Sequence, residues 1–594
     1  MSIRNILTSR QTVLHVVTLV VALCSFAYEL AYAELLTVMY GGTVTQYGLT
    51  IGLFFVSLGL GSYLAHHLDD ARQSNFFRTE LYIAFLAPVG FLFIIWVNAA
   101  QVFAGVPTLV EEVVVRTPVI LVGVLSGLEL PMLLLMIKQA SGPTDQLSDA
   151  VVGVLSWLDL AAHRVVSVFF HTSRDGTEYD TYSSVLAMDY LGGLCGALVF
   201  VFYLYPEVGL VSSVAGLALL NCVAALLFTL RFSAHRWSLF SSEHAVVTRE
   251  RISTVLVCAV LASVFVGALA YDDSVNDEIT GYYMESVIEQ EYPQDTVDVT
   301  VTDQFTTPYQ QVTYYNRTWV GDGTNTDFDG QSERCLRLDT ALQLCESWAD
   351  SYHQGLVDVP LSMYDNSTAT DVLVLGGGDW IATDYLRAHN VSVDLVDVDA
   401  EFMKHAKSDE LLRRYHDGAY QYDNLTVHQQ DAFDFLAATT NSYDLILLDL
   451  PGATNDDMLH LYSTEFYSLL SERLGPDGVV GTWTYSRYAY PAHYHTYMNT
   501  VAEAGFSQTL DYWAYDDLNG DGDTQLGERF VLLAPDDTRP TPQPEQGSAY
   551  LREHADAYGS LAWTDTPTYD GYTSNRIFRP NYKMLVEPGD VNDN

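Results

Sequence analysis

The sequence predicts a multi-pass α-helical membrane domain followed by an α/β domain with a mainly parallel sheet. Seven long apolar runs lie in the first half, and each could supply the roughly 20 residues that cross a bilayer. After residue 371 strands and helices alternate, which favours a parallel sheet covered on both faces. Up to Ala270 the chain has 18 acids and 12 bases, whereas the remainder of the 594 residues has 56 and 16. We therefore expect one half in lipid and the other in water.

The predicted spans follow one another with short connections, apart from one insert. The seven runs lie near 13–40, 47–67, 79–100, 113–137, 183–205, 208–230 and 252–270. The first is too long for a signal peptide and has no small-residue cleavage site before its second half. The insert 139–182 carries Asp159, His163 and Arg164 and is predicted to lie on the membrane surface as an amphipathic helix, the alternative being an eighth span.

Polar and small residues within the apolar runs predict contacts between the helices. Four acids lie inside the runs: Glu29, Glu34, Glu129 and Asp189. Such groups are expected to face the bundle interior, where they either serve a function or fix packing by hydrogen bonds. The spacing of Gly192 and Gly196, and of Ser57 and Gly61, predicts close helix contacts.

The acidity of the chain limits its environment and its partners. Its net charge is −46 and only four residues are lysine, which indicates adaptation to high salt, where repulsion is screened over a few ångströms. A disordered acidic chain is disfavoured by 49% hydrophobic and 12% aromatic residues. The same negative charge disfavours nucleic acid as a partner.

The hydrophilic half divides into three parts. Short alternating runs between about 281 and 360 predict strands. From 371 the strand-like segments VLVL, VSVDLVDVD, LTVHQQD, YDLILLDLP and GVVGTWTYS alternate with helices, as in a Rossmann-like, methyltransferase-type fold. The predicted domains are a membrane domain (1–270), a small β subdomain (271–365), a Rossmann-like nucleoside-binding domain (366–535) and a C-terminal acidic extension (536–594).

The segment DVLVLGGGDW, residues 371–380, ends a strand in a glycine loop that includes Gly376 and Gly378. The loop lacks the Lys and Ser/Thr of a triphosphate-binding loop. Its acid, Asp379, would repel phosphate and attract a cation. A nucleoside with a cationic tail fits best, as in S-adenosyl compounds.

Three acids follow successive strands at the edge where doubly wound sheets bind ligands. Asp397 lies about 20 residues after the loop, where an acid accepts hydrogen bonds from both ribose hydroxyls. Asp431, followed by Ala432, is placed to read an adenine amino group, and Asp449 ends the next strand. The loop and these acids together predict a nucleoside site.

These motifs resemble the polyamine aminopropyltransferase (spermidine synthase) family. The matching segments are TPYQ (307–310), GGGD (376–379), VDVD (396–399), DAFDFL (431–436), YDLILLDLP (443–451) and LYSTEFY (461–467). The first half resembles the membrane-anchored branch through YELAYAELLTVMYG, SLGLGSYLA, LELP and DYLGGLCGALVFVFYLYPEVGL. The insert and the tail after about 535 lie outside this resemblance.

The resemblance implies a membrane-bound enzyme that moves an aminopropyl group from decarboxylated S-adenosylmethionine to an amine such as putrescine. By resemblance, Asp449 is the base, Asp379 holds the donor amine, Asp397 the ribose and Asp431 the adenine, and Gln310 and Tyr352 line the pocket. No metal is required. The expected partners are the amine, the S-adenosyl compound and membrane lipid, and a homodimer is left open.

Several positions depart from the family pattern. Trp380 replaces a glycine after GGGD, as a tolerated wall or as a residue that narrows the entrance. Acids that could hold a diamine are replaced by Trp348, Ala349, Gln354 and Gly452. Their loss favours a rival function, a non-catalytic module that senses nucleosides or polyamines, whereas Asp449 favours an enzyme. A methyltransferase using S-adenosylmethionine is a further alternative, against which TPYQ and the upstream strands weigh.

The segment DLNGDGDTQLGE, residues 517–528, has the spacing of a calcium-binding loop. The ligands would be Asp517, Asn519, Asp521, Asp523 and Glu528. Flanking helices are not evident, so a calcium site and a solvated hairpin loop both remain open.

The charges flanking the spans predict which side each segment faces. With the N-terminus cytoplasmic, eleven Lys and Arg residues fall in cytoplasmic segments and Arg116 alone falls outside, which puts the soluble half outside the cytoplasm. Cys335 and Cys345 would face each other across a hairpin, as a disulfide or as two thiols. S-adenosyl donors are made in the cytosol, however, so an active transferase should face inward, as an eighth span would allow.

Overall fold

The computed structural model divides the chain into two compact units, Met1–Tyr283 and Met284–Asn594. The residues it describes are 10–68, 72–103, 105–140, 181–232, 245–293, 296–320, 331–339, 341–364, 370–517, 524–536 and 539–586. The predicted surface helix of the insert therefore lies outside the described residues, as does most of the predicted calcium loop.

The first unit is a bundle of apolar helices. They are α1 (Arg10–Tyr40), α2 (Thr43–Leu64), α3 (Arg72–Ala99), α4 (Thr108–Val115), α5 (Thr117–Ala140), α6 (Thr181–Val199), α7 (Leu210–Phe232) and α8 (Ala245–Ala270). The acidic helix α9 (Asp272–Glu289) follows, and its last residues belong to the second unit. In the described residues six helices are long and apolar enough to cross a membrane, or seven if the bent pair Val255–Ala270 and Ser274–Glu289 forms one span. The first six predicted spans agree with these helices.

Close helix contacts occur at the predicted small residues. A Cβ atom at Gly192 or Gly196 would collide with α1 backbone at Leu19 or Leu23, and one at Gly61 would collide with α5 at Val124. These glycines let helix backbones approach each other, which confirms the packing prediction at these positions.

Acids lie within the bundle, as predicted. Glu29 and Glu129 are buried, and Glu34 accepts a hydrogen bond from the Tyr47 hydroxyl at 2.6 Å. Glu80, which the sequence analysis did not single out, is also buried and accepts a hydrogen bond from the Asn221 amide at 2.9 Å.

The second unit begins with a small antiparallel sheet. Its strands, in spatial order, are β1 (Val297–Thr306), β2 (Gln311–Trp319), β3 (Ser332–Leu338) and β4 (Ala341–Cys345). Cys335 and Cys345 face each other across the last pair and form a disulfide, so this expectation is confirmed. The turn between β1 and β2 carries the TPYQ motif.

An eight-stranded sheet follows, in the order β12-β10-β11-β9-β8-β5-β6-β7. Its strands are β5 (Asp371–Gly376), β6 (Ser392–Asp397), β7 (Leu425–Gln429), β8 (Tyr443–Asp449), β9 (Leu474–Trp483), β10 (Gln508–Asp516), β11 (Gln525–Ala534) and β12 (Thr564–Asp565). Strands β5 to β9 are parallel, and β10 and β11 form an antiparallel hairpin against β9. Strand β5 pairs with β6 on one side and with β8 on the other, so the strand order reverses at β5. A ligand crevice is therefore expected at the carboxyl end of β5.

Helices cover both faces of this sheet and bury its apolar strands. They are α10 (Ala349–His353), α11 (Ile381–Ala388), α12 (Ala400–Ala406), α13 (Glu410–His416), α14 (Ala432–Ala438), α15 (Thr464–Arg473), α16 (Pro491–Glu503), α17 (Ala549–Glu553) and α18 (Ala555–Tyr558). Separate apolar clusters lie on its two faces. The predicted fold class, a helical membrane domain, a small β subdomain and a Rossmann-like domain, is confirmed.

Candidate active site

The glycine loop after β5 brings two strand ends together. Gly376 and Gly377 have φ angles of 86° and 74°, a left-handed conformation that favours glycine. A Cβ atom at Gly376 would collide with the carbonyl oxygen of Asp449, and one at Gly378 would lie 2.7 Å from the Asp397 carboxylate. The loop can therefore pass between these two acids only because its residues have no side chain.

Asp397, at the end of β6, is held by backbone donors. Its Oδ2 accepts from the Gly378 amide at 3.0 Å and its Oδ1 from the Asp399 amide at 2.8 Å. Burial raises the pKa of Asp397 to about 7, although these two hydrogen bonds oppose the rise. The carboxylate is thereby fixed in orientation with lone pairs left for a ligand's hydroxyl groups.

Gln310 is linked to this acid through Asp399. The Gln310 amide donates to Asp399 Oδ2 at 2.9 Å, and the Thr307 hydroxyl donates to the same oxygen at 2.6 Å. Asp399 Oδ1 in turn caps α12 by accepting from the Phe402 amide at 3.0 Å. The β1–β2 turn thus packs beside the ribose position predicted at Asp397, and Asp399 is a positioning residue that the sequence analysis did not identify.

Asp431, predicted to read the adenine amino group, follows β7 at the same edge of the sheet. It caps α14, which begins at the buried Ala432, by accepting from the Asp434 amide at 3.0 Å. Its other oxygen lies 3.4 Å from His460 Nε2, and this contact is the main reason why the pKa of Asp431 is lowered. Both carboxylate oxygens already have protein partners, and His460 is a neighbour that the sequence analysis missed.

Asp449, at the end of β8, has one oxygen occupied and one free. Its Oδ1 accepts from the Tyr352 hydroxyl at 3.1 Å, whereas Oδ2 is buried without a hydrogen-bond partner among the described residues. Burial and then repulsion from Asp379 raise the pKa of Asp449 to about 6, against opposing effects of His353 and Tyr352. An orphaned buried carboxylate oxygen is costly and suited to binding a proton or a cation.

Asp379 faces His353, another group that the sequence analysis did not single out. The Asp379 carboxylate lies 3.9 Å from His353 Nε2, and His353 Nδ1 contacts the Ala349 carbonyl at 2.7 Å. One atom each from His353, Asp379 and Asp449 lie within 4.8 Å of one another. Among the described residues no Lys or Arg pairs with Asp379, Asp397 or Asp449. The geometry could hold a metal ion, and it equally suits an ammonium group.

Trp380 is neither a wall of the pocket nor a block at its entrance, so both expectations for it were wrong. The side chain is buried in the core, where its Nε1 donates to the Met403 carbonyl at 3.0 Å. Its φ angle is 71°, which is unfavourable for a bulky residue and explains why glycine is favoured here. The turn directs the ring away from the cleft.

Glu528, one of the predicted calcium ligands, lies in β11. Most of the other predicted ligands, 519–523, lie outside the described residues. A bulge opposite Ala514 shifts the β10–β11 register at Gly527 and Glu528, since Trp513 pairs with Arg529 and Tyr515 with Leu526. Glu528 is therefore attached to the sheet at the edge that carries the site.

The glycine loop and the acids at the carboxyl edge of the sheet define a Rossmann-like, methyltransferase-type domain. A profile of the Spermine/spermidine synthase domain family matches residues 349–515. The chain belongs to the polyamine aminopropyltransferase (spermidine synthase) family, which is a family of transferases.

Curated relatives match along most of the chain. A polyamine aminopropyltransferase of Leptospira interrogans is 27% identical and covers 89% of this chain and 90% of its own. Another, from Oceanobacillus iheyensis, is 27% identical over 78% of this chain and 75% of its own. A solved spermidine synthase of Thermotoga maritima is 18% identical over 43% of this chain and 83% of its own, with a TM-score of 0.33. The Leptospira match is long enough to include the greater part of both units.

Proposed function

We propose that this chain transfers an aminopropyl group from decarboxylated S-adenosylmethionine to an amine, as a membrane-bound enzyme of polyamine biosynthesis. The observation that carries the proposal is the free, buried Oδ2 of Asp449 beside Asp379 and the glycine loop. Family membership supplies the reaction class, and the arrangement of the carboxylates supports this donor.

The donor is a cationic nucleoside, and each of its polar parts has a candidate partner. Asp397 accepts the ribose hydroxyls and Asp379 holds the amine of the aminopropyl chain. The absence of a basic residue paired with these acids in the described chain suits a sulfonium and an ammonium, and disfavours phosphate. Asp431 is the candidate partner of the adenine amino group, and His460 lies 3.4 Å from one of its carboxylate oxygens.

Asp449 acts as the base of the transfer. The acceptor arrives as an ammonium ion, which has no lone pair, so it first gives a proton to Asp449. Its nitrogen then attacks the methylene carbon beside the sulfonium, a carbon–nitrogen bond forms, and the carbon–sulfur bond breaks with its electron pair on sulfur. Methylthioadenosine leaves. The Tyr352 hydroxyl holds the Asp449 carboxylate in place throughout.

A sensing module without catalysis is the rival proposal that the missing acceptor acids would favour. A sensor has no need for a base. In the described residues, however, Oδ2 of Asp449 is buried without a hydrogen-bond partner, and the pKa of Asp449 is raised to about 6, close to neutral pH. Such tuning is typical of catalytic carboxylates. We therefore favour the enzyme.

We further propose that the soluble unit faces away from the cytoplasm. The distribution of Arg and Lys around the spans supports this side, and so does the disulfide between Cys335 and Cys345. Labelling of Ser560→Cys by an impermeant maleimide, in a Cys195→Ser background, is expected on intact cells. Protection until lysis would reverse the orientation.

Calorimetry tests whether the site selects the proposed donor. We expect methylthioadenosine and decarboxylated S-adenosylmethionine to bind more tightly than S-adenosylmethionine, because the additional carboxylate of the latter meets the acids of the site. Preference for S-adenosylmethionine, with transfer of its methyl group, would instead establish the methyltransferase alternative.

A further inference from the structure

The acceptor side of the site lacks acids at positions where the family pattern has them. Ala349 is buried, and Gly452 lies against the hydroxyl end of Tyr485, with which a Cβ atom at Gly452 would collide. A carboxylate could not be added at Gly452 without displacing that tyrosine. If the acceptor carries a second positive charge, its partner must come from another part of the fold.

The β10–β11 hairpin brings an acid to this place. Phe530 pairs with Trp483 at the end of β9, and the Thr484 amide donates to the Arg529 carbonyl at 2.8 Å. Residues of β11 that precede Arg529 therefore extend beyond the carboxyl end of β9, on the ligand side of the sheet. Glu528 is the first of them, and the bulge at this point alters the direction of its side chain.

Aromatic contacts tie this part of β11 to the catalytic residues. The Phe530 ring lies 5.4 Å from the Tyr352 ring, whose hydroxyl binds Asp449. Tyr485, which covers Gly452, lies 4.9 Å from the Trp483 ring. Phe530, two residues after Glu528, is therefore packed against the tyrosine that holds the proposed base.

The surroundings of Glu528 are those of a cleft. Its side chain is exposed, yet desolvation by the surrounding protein, with a smaller effect of Asp516, raises the pKa of Glu528 to about 7. A group that is both exposed and desolvated lines a concave surface. Its charge in turn contributes to the raised pKa values of Tyr352 and Tyr485, after burial and after nearer groups, Asp449 for Tyr352 and Tyr490 for Tyr485.

We propose that Glu528 binds the second ammonium group of a diamine acceptor and thereby selects diamines over monoamines. The inference rests on the proposed function, since it assigns the acceptor end of the same site. No basic side chain is among the groups that act on Glu528, so its charge is available to a cationic ligand. Aromatic faces beside it suit both methylene groups and ammonium ions. Asp516 is the weaker candidate, because its carboxylate already accepts from the Ser351 hydroxyl.

Binding calorimetry on the full-length protein saturated with methylthioadenosine tests the assignment without requiring turnover. Putrescine and butylamine are compared, because they have the same carbon chain and differ in the second amine. Glu528→Gln is expected to weaken putrescine binding tenfold to a hundredfold and to leave butylamine unchanged. Glu553→Gln, an exposed acid on α17, is the matched control and should behave as wild type.

The same variants separate this inference from the proposed function when products are measured by mass spectrometry. Equal putrescine affinity in wild type and Glu528→Gln would overturn the inference, even with transfer intact. Diamine binding that depends on Glu528 in a protein that transfers nothing would support the inference and contradict the proposed function. Absence of both diamine binding and transfer in the wild type would overturn both.

Discussion

The proposed donor and acceptor ends of the candidate site lie on different parts of one sheet. The donor end is formed by the parallel strands β5, β6 and β8, whose carboxyl ends bring Asp397 and Asp449 to the glycine loop. The acceptor end is formed by α10, the end of β9 and the antiparallel hairpin β10–β11. Acids of the donor end follow the family pattern, whereas those of the acceptor end have been exchanged.

This difference indicates which end is constrained by backbone geometry. At the donor end Asp397 is fixed by the Gly378 amide of the loop that it borders, and Gly376 packs against the Asp449 backbone. Substitution of these residues would therefore disturb the backbone of the glycine loop. At the acceptor end the charge need only reach the cleft, so a strand from the other side can supply it.

Replacing Asp449, the proposed base at the boundary between the donor and acceptor ends, should have the largest effect on turnover. Asp449→Asn is expected to lower kcat/KM by a hundredfold to ten-thousandfold, because the acceptor ammonium loses its proton acceptor. Steady-state kinetics measures this, and calorimetry of the variant with methylthioadenosine should show donor binding within about threefold of wild type. Retained turnover would remove Asp449 from the mechanism.

The stability of the protein should depend on the Trp380 ring, which is buried next to the glycine loop. Trp380→Gly relieves a left-handed conformation worth about 1–2 kcal/mol but leaves a cavity that costs about 3–5 kcal/mol, so a net loss of about 1–4 kcal/mol in the free energy of unfolding is expected. Urea unfolding followed by fluorescence measures it. Phe578→Ala is the control, since that ring is 98% exposed. A more stable Trp380→Gly protein would show that strain dominates.

Two acids of the donor end should differ in their importance for binding. Asp397→Asn is expected to weaken methylthioadenosine binding about tenfold to a hundredfold, since a charge-assisted hydrogen bond is worth about 1.5–3 kcal/mol. Asp431→Asn should weaken it by less than tenfold, because His460 and the α14 amide already hold that carboxylate.

Calorimetry measures both affinities, with exposed Asp423→Asn as a control. Equal losses for Asp397→Asn and Asp431→Asn would mean that the two acids contribute equally to nucleoside binding.

How far the sequence predicts the site differs between its two ends. Gly376, Asp397 and Asp449 were placed correctly at strand ends because strand, loop and acid are adjacent in the chain. His460 and Glu528 were not assigned to the site, since their positions depend on which distant strands pair. The sequence analysis assigned Glu528 to a calcium-loop motif because of its spacing from nearby acids. Its position in the structure is instead set by the register of the β10–β11 hairpin and by the bulge in it.

Burial of Trp380 could not be predicted from its neighbours either. The residue follows the loop directly, so its ring could have pointed into the cleft. Its direction follows from a φ angle of 71° and from the Met403 carbonyl that accepts its hydrogen bond, both of which depend on the packing of α12.

A smaller, graded effect is expected with pH. The pKa of Asp449 is raised to about 6, so the base is ionised above that value and protonated below it. We therefore expect kcat/KM to fall as the pH falls, by tenfold per pH unit below about pH 6. Rates of the wild type between pH 5 and 8 would show this limb, and the residual rate of Asp449→Asn should lack it. An identical limb in the variant would assign the titration to another group.

The central claim is that one site binds both the aminopropyl donor and the amine acceptor and transfers the group between them. Product stoichiometry tests this claim most directly. Purified wild-type protein in high salt is incubated with decarboxylated S-adenosylmethionine and putrescine, and products are quantified by mass spectrometry. We predict methylthioadenosine and the aminopropylated diamine in equal amounts, and neither from Asp449→Asn. Donor binding without any product, or a product that carries a methyl group in place of an aminopropyl group, would contradict the account.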